Sequence, residues 1–329
     1  MQEWNAVQNV INNNESFALF THFSADGDAL SSAVALALFL KNQGKKTVIF
    51  IEEEPQKVLK YITLQDVDVR VYNEGTEYGA FDASIAVDTA TEERLGKRQN
   101  LFRKAPVTVS IDHHLTKNPY AQLNICDTTW SATCEGIWEL MSLYGPVTDK
   151  NIAQTIFTGI MTDTGCFAYS NTTENTHSIA AKIIALCGDQ SWQYRNIFES
   201  VEKSELALRR IAYSKLEFYG NETICFLEIT KEDIENSNAT MEQLEGFAAF
   251  LRTISGVKTA IFVKPGDTPA VRRLSLRSDG DCNVSSVAAG FGGGGHKCAS
   301  GITYTPEKFD ITFEEFKTKL IEEIVSWTE

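Results

Sequence analysis

The sequence predicts an α/β protein with a parallel sheet in its first half, a helical connector and a second, smaller domain. Short apolar segments alternate with helix-like segments along the first half of the chain. Such alternation is typical of parallel sheets covered by helices. From about residue 216 the pattern becomes strand-rich, with a hairpin-like pair of segments around Gly220. We predict domains at 1–190 and 216–329, joined by a polar helical connector at 191–215.

The first strand and the helix after it have the clearest patterns. Residues 17–23 (FALFTHF) are apolar and β-rich, and 29–43 repeat apolar residues at helical spacing before Gly44 ends the helix. A later helix is expected to end at Cys187, with Gly188 after it. The remaining strands predicted for the first half, each ending in polar residues, are 46–52, 83–89 and 106–114.

Histidines and aspartates cluster directly after these predicted strands. They are His22, Asp88 and the triplet Asp112, His113 and His114. In open parallel sheets, ligand-binding residues gather at the carboxyl ends of the strands. We therefore expect these side chains to share one site.

Composition limits the classes of function. The 329 residues are 43% hydrophobic, which is enough for a substantial core, and no apolar segment approaches the roughly 20 residues that cross a bilayer. No secretory leader pattern is present at the amino terminus, so a cytoplasmic location is expected. The net charge of −14 argues against a broad surface for long nucleic acid. The seven cysteines form no C-x-x-C pair and are expected to be reduced thiols, mostly buried.

The clustered acids and histidines favour a divalent metal. Carboxylates a few ångströms apart repel one another, and a cation removes that conflict. A mixed Asp/His set suits Mn²⁺, and six ligands are enough for two metals that share a bridging carboxylate. Two metals about 3.5 to 4 Å apart form a template for the hydrolysis of phosphate esters. The predicted ligands are His22, Asp26, Asp28, Asp88, His113 and Asp163.

Each position also has an ordinary structural explanation. Asp88 alone is typical of a strand-end or N-cap aspartate, and Asp163 beside Thr164 and Gly165 is typical of a turn. The combination and its order along the chain favour the metal site. His177, near the start of a predicted helix, is expected to be an ordinary surface histidine.

The motifs HFSADGD, VDT, DHH and MTDTG resemble, in this order, the four motifs of the DHH phosphoesterase family. The segments LSLRS and GFGGGGHKCASG are similar to the arginine strand and glycine-rich loop of the DHH-associated domain, so the second domain is expected to be α/β. Two positions depart from many relatives: Ala25 stands where they have proline and Ser31 where they have glycine. Neither is a predicted ligand.

The resemblance implies a role for each site residue. His22, Asp26 and Asp88 would hold one metal, with Asp88 bridging to a second metal and His114 facing the scissile phosphate. The second metal would be held by Asp28, Asp88, His113 and Asp163. Substrate binding is assigned to Arg277, Gly293, Gly294, Gly295 and His296.

The glycine loop also favours anion binding on physical grounds. Four glycines in succession, Gly292 to Gly295, let backbone N–H groups approach a ligand closely. Arg277 can offer a bidentate fork to a phosphate. Arg272 and Arg273 are either further substrate contacts or ordinary exposed charges, and the second interpretation is favoured.

Within the family, the chain is most similar to the stand-alone nanoRNase group, which degrades very short RNA and dephosphorylates 3′-phosphoadenosine 5′-phosphate (pAp). Family II pyrophosphatases lack the GGGGH loop, RecJ-like exonucleases carry a further OB-fold domain, and membrane-bound cyclic-dinucleotide phosphodiesterases add transmembrane segments. The runner-up is a stand-alone phosphodiesterase for linear or cyclic dinucleotides, and exopolyphosphatase stays open. A non-enzymatic nucleic-acid binding or editing module is disfavoured, because a protein that only binds nucleic acid does not need six converging metal ligands.

The expected cofactor is two divalent metal ions, Mn²⁺ first and Mg²⁺ or Co²⁺ as alternatives. The expected partners are short RNA oligonucleotides and nucleotide phosphates, without long nucleic acid or membrane. A homodimer, the cleavage polarity, the metal used in the cell and the physiological substrate are left open by the sequence.

Overall fold

A computed structural model describes residues 2–115, 118–244 and 246–327. The chain divides into two compact units, Met1–Ser200 and Val201–Glu329, and each has its own six-stranded sheet. The predicted α/β class is confirmed in both units.

The first unit alternates strands and helices. Its strands are β1 (Ser16–Phe20), β2 (Lys46–Ile51), β3 (Val69–Val71), β4 (Ala83–Val87), β5 (Val107–Asp112) and β6 (Leu123–Cys126). Its helices are α1 (Gln2–Asn13), α2 (Gly27–Asn42), α3 (Lys60–Thr63), α4 (Gln99–Arg103), α5 (Thr133–Ser142), α6 (Lys150–Asp163), α7 (Glu174–Cys187) and α8 (Ser191–Phe198). Two short 3₁₀ helices are η1 (Lys57–Leu59) and η2 (Glu92–Arg98).

The sheet of the first unit is parallel throughout, as predicted. Its strand order is β3-β2-β1-β4-β5-β6, so the order reverses direction between β1 and β4. Phe20 at the end of β1 lies between Phe50 of β2 and Ala86 of β4. All five residues of β4 are buried, as expected for a strand with helices on both faces. The ends of β1 and β4 therefore lie side by side at the switch point of the sheet.

Helix α2 begins two residues earlier than the sequence pattern predicts. Asp26 is its N-cap, and the Asp26 carboxylate accepts hydrogen bonds from the backbone N–H groups of Asp28 and Ala29. Asp28 consequently lies in the first helical turn and is completely buried.

Close packing of α2 against α6 depends on two glycines. A Cβ on Gly27 would lie 2.4 Å from the Thr162 side chain, and one on Gly159 would lie 2.3 Å from Cys134 Sγ and 2.9 Å from an Asp28 carboxylate oxygen. Both glycines allow the helix backbones to approach closely where Asp28 enters the site.

The second unit has a mixed sheet with helices on both faces. Its strands are β7 (Glu217–Tyr219), β8 (Ile224–Glu228), β9 (Thr259–Pro265), β10 (Arg272–Ser278), β11 (Gly294–His296) and β12 (Ala299–Tyr304). Its helices are α9 (Lys203–Ser214), α10 (Lys231–Ser237), α11 (Phe247–Leu251), α12 (Val284–Gly290), α13 (Pro306–Phe309) and α14 (Phe313–Ser326), with the 3₁₀ helix η3 (Glu242–Leu244). The strand order is β11-β12-β10-β9-β8-β7, and the β8–β9 pair is parallel.

Each face of this second sheet has a separate apolar core. Leu274 and Leu276 of β10 pack with α12 and α14 on one face. Ala260 and Phe262 of β9 belong to the core that α9, α10 and α11 complete on the other. The residues 191–215, predicted as a helical connector, contain α8 and α9.

The seven cysteines are free thiols, as predicted, but fewer are buried than expected. Cys134, Cys225 and Cys282 are buried, whereas Cys126 and Cys298 are exposed.

Among the described residues, every helix is too short or too polar to span a lipid bilayer.

Candidate metal centre

His22 enters the site from the loop that follows β1. Its ring is buried, and Nδ1 lies 2.6 Å from the Phe23 carbonyl oxygen. Because a carbonyl oxygen only accepts, Nδ1 carries the hydrogen and donates. The other nitrogen, Nε2, faces Asp26 Oδ2 at 3.6 Å and Asp88 Oδ2 at 3.7 Å. Because Nδ1 is taken by the carbonyl, Nε2 is the ring nitrogen that faces the two carboxylates.

Asp88 lies at the centre of the cluster, directly after β4. It is buried, and its backbone has a φ of +54°, in the left-handed region that non-glycine residues seldom adopt. Asp88 Oδ1 lies 3.5 Å from His113 Nε2 and 3.5 Å from His114 Nδ1. Together with the His22 contact, three histidines surround this one carboxylate.

His113 follows β5 and repeats the arrangement of His22. Its Nδ1 lies 3.3 Å from the Trp130 carbonyl oxygen, so this nitrogen donates. Its Nε2 is buried without a hydrogen-bond partner and lies 3.5 Å from oxygens of both Asp88 and Asp163. A buried polar atom without a partner requires an explanation, and a bound cation between these three groups supplies one.

Asp28 and Asp163 come from helices. Asp163 is the last residue of α6, so the apolar segment before it is a helix. The Asp28 carboxylate lies at the amino terminus of α5, where it accepts hydrogen bonds from the backbone N–H groups of Thr133 at 2.6 Å and Cys134 at 3.0 Å. These bonds fix the orientation of the carboxylate. They also satisfy N–H groups at the start of α5, because the N-cap residue, Ala132, has no side chain that can accept a hydrogen bond.

The electrostatics of the cluster favour a cation. Burial and the charges of Asp88 and Asp163 raise the pKa of Asp28 well above its usual range. Burial and the Asp26 charge raise the pKa of Asp88 to about 6, and burial also raises the pKa of Asp163. A divalent cation would keep these carboxylates ionised by offsetting their mutual repulsion.

All six predicted ligands meet in one place. Three overlapping groups, each with ligand atoms within 4.8 Å of one another, satisfy the spacing of a metal site. Separations near 3.5 Å are too long for hydrogen bonds, but they suit two ligands that each lie about 2.0 to 2.2 Å from a shared ion. The groups are His22, Asp26 and Asp88; Asp28, His113 and Asp163; and Asp88, Asp112, His113 and His114.

His114 differs from the other two histidines of the cluster, because it is half-exposed and bound to a carboxylate. Its Nδ1 lies 2.9 Å from Asp112 Oδ1, which also accepts the His114 backbone N–H at 3.0 Å. The hydrogen bond to Asp112 raises the pKa of His114 to about 9. This hydrogen bond favours the protonated form of the His114 ring, which lies at the exposed side of the cluster.

Two residues of the cluster have roles that the sequence did not assign to them. Asp112, the first residue of the DHH triplet, orients His114 as just described. Thr133 is completely buried, and its hydroxyl donates to Asp88 Oδ1 at 3.0 Å. The triplet itself was a signal for Asp112, whereas no local pattern in the sequence marks Thr133.

Arg277 and His296 project from the same face of the second sheet. Arg277 of β10 pairs with Ala299 of β12, and Ala299 pairs with His296 of β11. Directly opposed residues point to one face, so these two side chains stand two strands, or about 10 Å, apart. In the part of the chain that the structure describes, the Arg277 guanidinium has one hydrogen bond, to the Leu276 carbonyl.

The glycines of the loop serve different purposes. A Cβ on Gly293 would lie 2.2 Å from the Gly301 carbonyl oxygen, and Gly295 has a φ of +149° and would meet Ala299 and Ser300 at 2.5 Å. These two glycines are required by the close β11–β12 pairing. Gly294 is two residues before His296, so a side chain at position 294 would point to the same face as His296. A Cβ placed there would meet no atom within 4 Å. That opening leaves room for a ligand.

Arg272 and Arg273 are paired with acids. Arg272 Nε donates to Glu228 at 2.8 Å, and Arg273 Nη2 donates to both carboxylate oxygens of Asp267, at 2.7 and 2.9 Å. His177 is exposed, as expected.

Two family models match the chain in succession. Residues 16–160 match the DHH family, N-terminal domain, and residues 210–324 match the DHHA1 domain. The first match contains His22, Asp26, Asp28, Asp88 and His113.

Known proteins are similar over nearly the full chain. The bifunctional oligoribonuclease and PAP phosphatase NrnA of Bacillus subtilis is 27% identical over 309 residues, which cover 92% of this chain and 94% of that one. The structure of an exopolyphosphatase-related protein from Bacteroides fragilis matches with a TM-score of 0.86 and 25% identity, over 99% of this chain and 96% of its own. RecJ from Thermus thermophilus, in complex with Mn²⁺, shares the fold with a TM-score of 0.57 and 13% identity, over 99% of this chain and 54% of its own.

Proposed function

The chain belongs to the DHH phosphoesterase family and is a hydrolase of phosphoester bonds, and we propose that it degrades short RNA oligonucleotides to mononucleotides and dephosphorylates pAp. The observation that carries the proposal is the convergence of six Asp and His ligand candidates in three overlapping groups, one of which contains the buried and unpartnered Nε2 of His113. The relative from Bacillus subtilis, matched over 92% of this chain, supplies the substrate class.

We assign two divalent ions to the cluster, with Asp88 between them. His22 and Asp26 would hold one ion, while the other would be held by Asp28, His113 and Asp163. The Asp/His composition suits Mn²⁺, with Mg²⁺ and Co²⁺ as alternatives. When bound, such a pair activates a water molecule and neutralises charge on a phosphate undergoing in-line displacement.

The protein's own residues orient these ligands and the substrate. Backbone carbonyls fix His22 and His113 with Nε2 facing the carboxylates, and helix α5 fixes Asp28. His114, which Asp112 keeps protonated, would donate a hydrogen bond to a phosphate oxygen of the substrate. Its charge is then available where negative charge develops during hydrolysis.

The second unit supports recognition of another anionic group of the substrate. Arg277, His296 and the loop Gly293–Gly295 lie on or beside one sheet face, and Arg277 has guanidinium donors that no described residue uses. Guanidinium and backbone N–H donors are well suited to phosphate oxygens.

Exopolyphosphatase activity is the second candidate, because a full-length structural neighbour at 25% identity is exopolyphosphatase-related. Polyphosphate and RNA share a repeated anionic backbone, so the same ligand cluster could serve both. A dinucleotide-specific phosphodiesterase and a non-enzymatic module rest on no comparable observation.

A substrate panel with Mn²⁺ separates these functions. It contains pAp, RNA of two to seven residues, linear and cyclic dinucleotides, pyrophosphate, polyphosphate and single-stranded DNA. We expect fastest turnover with short RNA and with pAp, complete loss with EDTA, and recovery when Mn²⁺ is restored. Preferential release of phosphate from polyphosphate would favour the second candidate, and activity restricted to dinucleotides would contradict the proposal.

A further inference from the structure

An exposed aromatic residue follows directly after one ligand candidate of the metal cluster. Phe23 follows the ligand candidate His22, and its ring is 40% exposed and belongs to none of the apolar cores. Its backbone is held on both sides, because its N–H donates to the Arg94 carbonyl at 2.8 Å and its carbonyl accepts from His22 Nδ1. The backbone of Phe23 is therefore fixed next to a ligand candidate, whereas its side chain belongs to none of the apolar cores.

The guanidinium of Arg94 covers this ring. Its Cζ lies 5.0 Å from the centre of the Phe23 ring. Among the described residues, its guanidinium forms no hydrogen bond and no ion pair, although the chain is strongly acidic. Other arginines of the first unit are paired with acids: Arg70 with Asp68 and Arg103 with Glu92.

The topology brings this pair to the metal cluster from two neighbouring strands. The chain leaves β1 through His22 and Phe23, and it leaves β4 through Asp88 and then reaches Arg94 in η2. Each strand end thus supplies one metal-ligand candidate and one member of the Phe23–Arg94 pair. The exposed Asp26 side chain shows that this side of the cluster is open to solvent.

We propose that Phe23 and Arg94 form a stacking platform for the nucleobase of the nucleotide whose phosphate lies at the metal cluster. Bases stack on aromatic rings and on guanidinium planes irrespective of their sequence, which suits an enzyme for short RNA of any composition. The positive charge of Arg94 would also reduce the repulsion between a phosphorylated ligand and the nearby carboxylates. This inference rests on the proposed function, because it assumes that the substrate is a nucleotide.

The direct test compares two substrates that differ only in one base. The first is a 5′-phosphorylated RNA dimer, and the second is the same dimer with an abasic residue at the nucleotide that is cleaved. We expect the native chain to prefer the intact dimer by about 10-fold or more in kcat/KM, the range that one stacked base provides. In Phe23→Ala this preference should shrink to about twofold, and in Phe23→Tyr it should persist.

A second measurement does not depend on turnover. A dinucleotide with 2-aminopurine at the same position loses fluorescence when its base stacks, so titration with the Asp88→Asn chain should quench it. Adding Phe23→Ala should abolish the quenching, and adding Arg94→Met should weaken it. Phe198→Ala is the matched control, since Phe198 is also 40% exposed but lies in α8. It should change neither the quenching nor, in the native background, the base preference.

Failure of this inference differs from failure of the proposed function. Hydrolysis of intact and abasic dimers at equal rates, with no quenching, would overturn the stacking platform while leaving the enzyme an oligoribonuclease. Quenching that survives Phe23→Ala would place the base elsewhere. An enzyme that cleaves polyphosphate but neither dimer would overturn both.

Discussion

Asp88 shows at the scale of one residue how backbone strain is used to build the site. Its left-handed φ of +54° turns the carboxylate back toward three histidines at the end of β4. Strained backbone of this kind costs of order 1–3 kcal/mol and persists where the surroundings fix it. Ser24 and Cys166, in the loops beside His22 and Asp163, also have a positive φ. Within the described part of the first unit, the non-glycine residues with positive φ all lie in segments next to ligand candidates, whereas four others lie in the second unit.

Asp88→Asn should remove most activity, because the amide oxygen carries no full negative charge for the proposed pair of ions. We expect kcat to fall by ~10²-fold or more on every substrate, with a reduced content of bound metal by elemental analysis. Circular dichroism should show an unchanged fold. The control is Asp66→Asn, which alters an exposed ion pair with Lys41 and should leave turnover intact. If the Asp88→Asn variant binds two metal ions and turns over normally, the proposal that Asp88 bridges the ions is wrong.

Thr133→Val tests whether the hydroxyl that contacts Asp88 orients it. Valine keeps the shape of threonine but removes the donor at 3.0 Å from Asp88 Oδ1. Loss of such an outer contact should weaken apparent Mn²⁺ affinity by roughly 10- to 100-fold in a metal titration of activity. Thr155→Val is matched, since the Thr155 hydroxyl binds a backbone carbonyl of α6. Equal metal affinities in the two variants would contradict a positioning role for Thr133.

At the scale of elements, the packing of α2 on α6 sets the position of Asp28. The Asp28 carboxylate binds the amino terminus of α5 and packs against α6 at Gly159, where the absence of a side chain leaves room for it. The position of the Asp28 carboxylate therefore depends on how closely the helices pack.

Gly159→Ala should consequently damage both stability and metal binding. The added methyl would overlap Cys134 Sγ and an Asp28 oxygen, and overpacking of this kind costs roughly 1–3 kcal/mol of unfolding free energy. Chemical denaturation measures the stability, and metal titration should show weaker binding. In the control Gly290→Ala the methyl meets nothing within 4 Å, so no loss of stability is expected. Full metal affinity in Gly159→Ala would mean that Asp28 tolerates the shift.

The β11–β12 hairpin contains one glycine that the strand pairing requires, Gly295, and another, Gly294, that we propose faces the substrate. Gly294→Ala adds a methyl in open space, so the melting temperature should stay unchanged while KM for short RNA rises several-fold. Gly295→Ala is the contrasting variant, because its φ of +149° and its contacts at 2.5 Å should destabilise the hairpin. An unchanged KM in Gly294→Ala would remove this face from the substrate site.

At the scale of the whole molecule, the charge of −14 opposes long nucleic acid. A long RNA gains affinity mainly by adding lysine and arginine contacts to successive phosphates, and an acidic surface offers few of them. Short anions need only a few local groups, such as those of the proposed metal cluster.

Substrate length should therefore govern turnover. We expect kcat/KM to be highest for RNA of two to five residues and to fall as nucleotides are added, measured on end-labelled oligomers up to twenty residues. Raising the salt should narrow this difference, because repulsion from the acidic surface is screened within about 10 Å at 0.1 M ionic strength. Level or increasing rates up to twenty residues would indicate a processive exonuclease instead.

The sequence by itself determined the fold class and the composition of the candidate site. Apolar segments that end in His or Asp identify the parallel strands and their carboxyl ends, so local patterns located His22, Asp88 and His113. These signals are local in the chain, because side-chain periodicity and strand ends depend on a few neighbouring residues. The start of α2 was misplaced by two residues, because Asp26 was read as part of the loop and not as the N-cap.

Only the tertiary structure decided which distant groups complete the site. The contact of Thr133 with Asp88 and the stacking of Arg94 on Phe23 join segments that are far apart in the chain. They depend on the adjacency of β1 and β4 and on the placement of α5 against Asp28. Such contacts follow from strand order and helix packing, which bring together residues whose spacing along the chain carries no periodic signal.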